Sequence, residues 1–398
     1  MRKWFAALLM ILLVLGLAAC GEESEATSGN EDGGNSKEDV IKIGSVIDAS
    51  GSAAPLGKGK EDTMKMLVKE ANANGGINGK QIKLITIDSK SDQNEAVLGI
   101  KKLIDQEKVD AIVGGTISGN ALAMIPLAEK AGVPFIAFGA SVQINSPSDG
   151  SARNWTFKTS QGDDIVIPKL LEYLKSEGLT KVAWLGVANS YGTSGHEEFE
   201  KIAAEYGIKA IIEEEFEATV NDAKPMLTRV KKENPQAIIV WGTVQESAIV
   251  TKNIRELGID IPIFASHGIG SKQFFELAGD AAKGVVFPAG KLLVAEQLDD
   301  SDKQKANIIK YKNDFKKEFN YDSSTFGGHA WDAFFMLKEA IESAGTDPED
   351  LRSALESIND FAGISGVFNM SPDNHNGLAS DALVMVKIDD NGEWIIAE

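Results

Sequence analysis

The sequence has very little cysteine and a minority of basic residues, and both shortages exclude classes of protein. Cysteine occurs once among 398 residues, at Cys20, so no internal disulfide, zinc site of several thiolates or Cys-x-x-Cys redox pair can form. There are 40 Lys and Arg against 59 Asp and Glu, which gives a formal charge of −19. This negative charge opposes broad contact with nucleic-acid phosphates and anionic lipid headgroups. We therefore predict that the protein binds no nucleic acid.

Motifs for catalysis and for cofactor binding are also missing. A phosphate-binding loop would need Ser or Thr after Lys58, where Gly59 stands, and a nucleophile elbow would need its serine one position before Ser118. The sequence predicts no metal site, because no two histidines have metal-ligand spacing. The histidines are His196, His267, His329 and His375. We therefore predict a protein that is not an enzyme and has no catalytic residue and no cofactor.

The one long apolar run lies at the N-terminus. It extends from position 4 to position 19 after Arg2 and Lys3, is too short to cross a bilayer comfortably, and ends in small residues, as an export signal does. The residues Leu-Ala-Ala-Cys at 17–20 resemble the lipobox of bacterial lipoproteins, in which the cysteine is lipidated. We predict a signal peptide over 1–19 and a lipidated Cys20. The alternative is an ordinary signal peptide with an incidental cysteine.

Residues 20–39 are acidic and almost free of large apolar side chains. Such a composition is typical of a disordered tether, because it cannot bury enough surface to fold. The prediction is a globular protein held by its lipid to the extracytoplasmic face of the cell membrane.

Beyond residue 40, short β-branched runs alternate with longer segments of helical period, which favours an α/β fold. Strand 237–241 is apolar at every position, as in parallel sheets covered on both faces. The length favours two doubly wound parallel-sheet lobes. The predicted strands are 41–47, 81–88, 111–114, 134–137, 181–187, 208–216, 237–241, 261–264 and 284–287, with helices between them. Three helices, 302–319, 327–344 and 348–357, and two strands, 383–388 and 393–396, follow.

Several short sequence blocks follow one another along the chain: VIDASG at 46–51, NGGINGK at 74–80, AIVGG at 111–115, AEKAGVP at 128–134, LAGDAA at 277–282 and HAWDA at 329–333. Taken together and in this order, they resemble the periplasmic leucine/isoleucine/valine-binding proteins of ABC transporters. The resemblance covers residues 40–398. It implies the type I periplasmic binding protein fold, a ligand trapped between the lobes by hinge closure, and an ABC permease and ATPase as partners.

The same resemblance implies where the chain crosses between the lobes. The three crossovers are expected near 157–160, 289–292 and 369–372. Lobe 1 would then comprise residues 40–159 and 291–370, and lobe 2 would comprise residues 160–290 and 371–398.

The site residues of the first lobe are expected after its strands, where helix N-termini present free N–H groups. By the resemblance, Ser118 holds a ligand carboxylate, Gly139 offers a carbonyl to an ammonium group, and Ala140 and Ser141 border the carboxylate. The alternatives are that Ser118 only caps its helix and that the segment at 139–141 is a mere turn. Leu56 stands where the family often has an aromatic residue.

The second lobe is expected to add Tyr191, which matches a tyrosine that closes over the ligand, and His267. Phe326 matches an aromatic residue at the pocket edge. Ordinary core packing is the alternative for Tyr191 and Phe326. His267 stands where amino-acid binders of the family have a glutamate for the ligand ammonium, and a histidine gives no such negative charge. The ligand is therefore predicted as a branched-chain amino acid or a related small carboxylate without an amino group.

Two other functions stay open from the sequence. One is a ligand-sensing receptor of the same fold that works with a signalling partner. The other is an exported hydrolase, which the missing motifs disfavour.

Overall fold

The computed structural model describes residues 40–151 and 153–397. The predicted signal peptide, the lipidated cysteine and the acidic tether lie outside the described residues. No helix within those residues is both long enough and apolar enough to cross a membrane.

The first part of the described chain forms a five-stranded sheet in the order β2-β1-β3-β4-β5, and all neighbouring strands are parallel. The strands are β1 Val40–Ile47, β2 Gln81–Asp88, β3 Ala111–Gly114, β4 Phe135–Ala137 and β5 Thr156–Lys158. The connecting helices are α1 Ala54–Ala73, α2 Gln93–Lys102 and α3 Ser118–Ala131. Apolar clusters cover both faces of this sheet, as the continuous apolar strands require.

Helix α1 lies unusually close to the end of β1. A Cβ atom at Gly57 would be 1.9 Å from the backbone oxygen of Asp48, so only glycine fits there without a shift of the backbone. Pro55 lies in the first turn of the helix, where its missing N–H costs no hydrogen bond. This close approach fixes the position of α1, and therefore of its side chains, relative to the carboxyl end of the sheet.

The next part of the chain forms the parallel portion of a second sheet. Its strands are β6 Lys181–Val187, β7 Lys209–Phe216, β8 Ala237–Trp241, β9 Ile263–Ala265 and β10 Val286–Gly290. Its helices are α4 Asp163–Ser176, α5 Ser190–Ile202, α6 Lys224–Glu233, α7 Val244–Glu256 and α8 Lys272–Ala278. Short 3₁₀ segments lie at Val142–Ile144, Ala203–Tyr206, His267–Ile269, Gly279–Ala282, Lys291–Gln297 and Ser380–Ala382.

The last part of the chain returns to the first sheet and then completes the second. The three helices are α9 Lys305–Phe319, α10 Thr325–Ala344 and α11 Pro348–Glu356, followed by the small hairpin β11 Phe361–Ala362 and β12 Val367–Phe368. Strands β13 Leu383–Ile388 and β14 Trp394–Ile396 run antiparallel at one edge of the second sheet, whose order is β14-β13-β10-β9-β8-β6-β7. Phe334 and Leu337 of α10 pack with Met64 and Leu67 of α1, so α10 lies against the helix that follows the first strand.

The predicted two-lobe α/β fold is confirmed, but some details differ. Strands β5, β11 and β12 were not predicted, because two or three residues show no readable alternation. The third crossover also lies later than 369–372. Leu378 and Ala382 still pack in the first-lobe core, and β13 of the second sheet begins at Leu383.

Candidate functional site

A cavity of about 240 Å³ lies between the two lobes, beyond the carboxyl ends of the parallel strands. The loops after β1, β3 and β4 line it from the first lobe, and the loops after β6, β8 and β9 line it from the second. Phe326 and His329 of α10 also contribute to the wall. The first turns of α3, α5 and α7 all reach the cavity. Side chains cap α5 and α7, whereas the N-terminus of α3 has no side-chain cap and keeps N–H groups free for a ligand.

Most of the residues predicted for the site line this cavity, and two lie directly behind its wall. The lining residues among them are Leu56, Ser118, Ala140, Tyr191, His267 and Phe326. Gly139 and Ser141 are the two behind the wall. Their binding roles stay predictions.

Ser118 is the first residue of α3 and is buried. The helix-capping alternative is not what the structure shows, because Ile117 occupies the N-cap position and provides no side-chain hydrogen bond. The Ser118 hydroxyl oxygen accepts a hydrogen bond from the Ser141 N–H at 3.1 Å. With Gly119 and Asn120 also lining the cavity, the first turn of α3 offers donors to an anion.

Gly139 and Ser141 hold the first-lobe wall together. The Gly139 carbonyl accepts a hydrogen bond from the Ser160 hydroxyl at 2.6 Å, and the Ser141 hydroxyl accepts one from the Gln143 N–H at 3.2 Å. A Cβ atom at Gly139 would be 2.8 Å from the Ser118 Cα atom, so glycine is needed for this close approach. In this arrangement Ser141 positions Ser118 and does not itself face the cavity.

Tyr191 and His267 form the second-lobe wall. The Asn189 side chain caps α5 and accepts a hydrogen bond from the Tyr191 N–H at 2.9 Å, which fixes the tyrosine at the helix start. The Tyr191 hydroxyl lies 3.2 Å from Nδ1 of His267. Burial lowers the pKa of His267 to about 3, with the positive charge of Lys158 acting in the same direction. The ring is therefore neutral at physiological pH.

Lys60 is a cavity residue that the sequence reasoning missed. Its side chain is 1% exposed and lines the cavity from α1, and Nζ donates to the Thr116 carbonyl at 3.3 Å. Burial lowers the pKa of Lys60 to about 7, opposed by the negative charge of Asp48. Lysine is rarely buried, so the sequence pattern alone did not predict Lys60 as a cavity residue. Its position four residues after Leu56 was the available signal, because that spacing places both on one helix face.

Asp48 lies behind Lys60 at the end of β1, in a buried polar network. Its Oδ1 accepts a hydrogen bond from the Asn120 side-chain amide at 2.6 Å and another from the Ser89 hydroxyl. Its own N–H donates to the Thr116 hydroxyl at 3.2 Å. Burial raises the pKa of Asp48, while these hydrogen bonds and the charge of Lys60 oppose the shift. The network fixes the floor of the cavity on the first-lobe side.

Glu246 is a second charged residue that was missed, on the opposite wall. Its Oε1 accepts hydrogen bonds from the Thr243 N–H at 2.6 Å and the Thr243 hydroxyl at 2.8 Å, and together these residues form the capping box of α7. Threonine followed three residues later by glutamate is a recognisable helix-start signature. Glu246 thus has a structural role as well as a place on the wall.

One histidine outside the cavity lies close to two carboxylates, although no second histidine of the described chain is near it. His196 Nε2 lies 3.3 Å from an oxygen of Glu213, and its Nδ1 lies 3.9 Å from an oxygen of Glu200. His196 and Glu200 share a face of α5, and Glu213 comes from β7. The three are partly or fully exposed on the surface of the second lobe.

Comparison with known proteins identifies the family. A family model described as periplasmic binding protein matches residues 40–393. A Leucine-, isoleucine-, valine-, threonine-, and alanine-binding protein from Pseudomonas aeruginosa is 25% identical over 322 residues, which cover 80% of this chain and 83% of that protein.

Solved structures agree with this. The crystal structure of an extracellular ligand-binding receptor from Rhodopseudomonas palustris HaA2 has a TM-score of 0.84 at 25% identity and covers 90% of this chain and 100% of its own. The branched-chain amino acid transporter substrate-binding protein LivJ from Streptococcus pneumoniae, in complex with isoleucine, has a TM-score of 0.78 at 26% identity, with 90% and 100% covered.

The chain therefore belongs to the periplasmic binding protein family, as a type I member related to the leucine/isoleucine/valine-binding proteins. The family consists of solute-binding proteins of ABC transporters that act outside the cytoplasm. Its members bind their ligands without transforming them, so the protein is not an enzyme.

Proposed function

We propose that this protein is the lipid-anchored receptor of an ABC importer, which captures a branched-chain amino acid or a related small carboxylate between its lobes and delivers it to a permease. The observation that carries the proposal is the cavity itself. Ser118 and Lys60 line it from one lobe, and Tyr191 and His267 line it from the other, so a ligand that touches both lobes favours the closed state.

The proposed lobes are residues 40–159 with 291–370 and residues 160–290 with 371–398, with one adjustment. Residues 371–382 are better assigned to the first lobe, because His375 stacks on Phe157 at a ring distance of 4.1 Å and its Nδ1 donates to the Thr156 carbonyl oxygen at 3.0 Å. The last hinge strand would then lie at 382–383.

The proposal of a lipid anchor rests on the sequence of the N-terminal segment. Cys20 follows an apolar export signal and precedes the acidic tether, so we propose that an acyl anchor holds the folded lobes near a membrane-bound permease.

Mass spectrometry of small molecules released from the purified, denatured protein tests the proposal. We expect a stoichiometric small carboxylate or amino acid that rebinds the refolded protein. A purified protein that releases no solute, and that no amino acid or small carboxylate stabilises against heat, would contradict it.

A further inference from the structure

The Lys60 amine lies at an apolar part of the cavity wall. Its Nζ is 5.3 Å from the ring centroid of Phe138 and 5.8 Å from that of Phe326, and both rings line the cavity. Leu56 and Ile117 lie on the same side. A ligand group beside this amine would therefore have its charged end at Nζ and its apolar body against the two rings.

Lys60 has few partners for its hydrogens. Within the described chain, the hydrogen-bond acceptor of Nζ is the Thr116 carbonyl at 3.3 Å, whereas a lysine ammonium has three donors. Asp48 attracts the amine electrostatically. Its Oδ1 accepts from Asn120 and Ser89, and its buried Oδ2 has no hydrogen-bond partner among the described residues, so the Lys60 amine does not bond to it. A buried ammonium that lacks acceptors is costly, and a bound anion supplies them through charge-assisted hydrogen bonds.

The facing wall offers a ligand ammonium a single carboxylate. His267 is neutral, and Tyr191 keeps its proton. Glu246 is the one carboxylate that lines the cavity among the described residues, and its Oε1 already accepts two hydrogen bonds from Thr243 at the positive end of α7. Compared with this carboxylate, the Lys60 amine has fewer hydrogen-bond partners.

We propose that Lys60 is the specificity-determining residue of this cavity, and that its ligand is a small apolar monocarboxylate without an ammonium group, whose carboxylate contacts the Lys60 amine. The inference rests on the proposed function and deepens it by naming the ligand class.

Proton uptake follows from this contact. The charged or titratable groups around Lys60 are Asp48 at the end of β1, His329 on α10, and Glu246 and His267 across the cavity. Burial lowers the pKa of Lys60 to about 7, so part of the amine is neutral above that pH. A carboxylate at Nζ raises this pKa again, so at pH 7.5 the amine takes up a fraction of a proton from the buffer while the ligand stays ionised.

Calorimetry with matched ligands tests the inference. The probes are leucine, 4-methyl-2-oxopentanoate, which keeps the carbon skeleton of leucine but has no ammonium group, and benzoate. At pH 7.5, in two buffers of different ionisation enthalpy, we expect wild type to bind at least one of the two acids more tightly than leucine and to take up protons as it does so. Lys60→Met should weaken that binding at least tenfold and abolish the uptake.

Three further variants distinguish the effect of the Lys60 amine from the effects of neighbouring residues. Lys58→Met on the same helix, where Lys58 is exposed and paired with Asp62 at 2.6 Å, should match wild type. Lys60→Arg should bind the acid without proton uptake, because a guanidinium stays charged, and it keeps the test informative if Lys60→Met does not fold. Glu246→Gln should retain the uptake.

Several results would overturn the inference: leucine bound by wild type at least as tightly as both acids, no binding of either acid, or proton uptake unchanged in the Lys60 variants. Solute released from the purified protein would still support the proposed function in each of these cases, so the two failures are distinguishable.

Discussion

The hydroxyl of Tyr191 lies 3.2 Å from Nδ1 of His267, and this pair gives the second-lobe wall of the cavity an uncharged section. Burial raises the pKa of Tyr191 well above its ordinary value, so the tyrosine keeps its proton and can donate it to the histidine. Burial also lowers the pKa of His267 to about 3. At neutral pH the wall therefore has hydrogen-bonding groups but no charge at a position where the family resemblance leads us to expect a glutamate.

We predict that His267→Glu shifts ligand preference toward amino acids. The new carboxylate restores a partner for an ammonium group and opposes acids that lack one. Hydrogen bonds to charged groups contribute roughly 1.5 to 3 kcal/mol, so leucine binding measured by calorimetry should strengthen about tenfold to a hundredfold. His267→Gln, which adds no charge, is the control. Sub-micromolar leucine binding by wild type would show that the histidine does not disfavour amino acids.

Ligand binding should close the hinge between the lobes. The Val142 N–H of the first lobe already donates to the Ser194 hydroxyl of the second at 3.3 Å, and a ligand between Ser118 and Tyr191 adds contacts that exist only when the lobes are together. Small-angle scattering should show a smaller radius of gyration with a saturating carboxylate. A Tyr191→Ala variant should close less completely, and an unchanged wild-type profile would argue against a clamp.

Lys60 should make the stability of the ligand-free protein depend on pH. Its pKa is about 7 in the folded chain, against 10.5 ordinarily, so between these values the unfolded state binds more protons and the free energy of unfolding rises with pH. Below pH 7 the amine is charged in the folded protein, so the free-energy cost of burying that charge is greatest there. Urea unfolding of Lys60→Met should show a shallower rise from pH 7 to pH 9.5, by at most a few kcal/mol. Curves parallel to wild type and to Lys58→Met would contradict this.

Gly57 should be intolerant of a side chain although it lies in a helix. Alanine normally favours a helix over glycine by about 1 kcal/mol, but a Cβ atom there would be 1.9 Å from the Asp48 backbone oxygen. We expect Gly57→Ala to lower the free energy of unfolding by about 1 to 3 kcal/mol and to weaken ligand binding, because α1 must move. Gly59→Ala is the matched control. Its nearest neighbour would be the Ser324 hydroxyl at 3.2 Å, a side-chain atom that can shift, and a loss as large as that at Gly57 would refute the argument.

Cys20→Ala should prevent lipidation and abolish membrane retention or signal-peptide processing. Fractionation of membranes and mass measurement of the mature chain test this. If the alanine variant is cleaved, carries no lipid and still stays with the membrane to the same extent, then the anchor is not at Cys20.

Ser118 and Ser141 show which features of the site could be predicted from the sequence. Both follow short apolar strands, and parallel strands end at one edge of a sheet, so their placement near the cavity was predictable. That Ser141 donates its N–H to Ser118, and so lies behind the wall, depends on how the loop after β4 folds back on α3. A repeating hydrophobic pattern contains no information about such a turn.

The surroundings of Lys60 and His196 also could not be predicted from the sequence. The pattern of an amphipathic helix predicts that a lysine lies on the surface. Lys60 is buried instead, beside Phe138 and Phe326, which come from distant parts of the chain. His196 comes close to Glu213 because α5 packs on β6, and β7 is the neighbour of β6 in the sheet.

The alternation of strands and helices, the family and the loops around the cavity could all be predicted from the sequence, since they follow from local hydrophobic period and from motifs in a fixed order. Which side chains face the cavity, and with what charge, depends on the folded chain. Burial and electrostatic partners arise from contacts between segments far apart in the chain, and no local pattern specifies them.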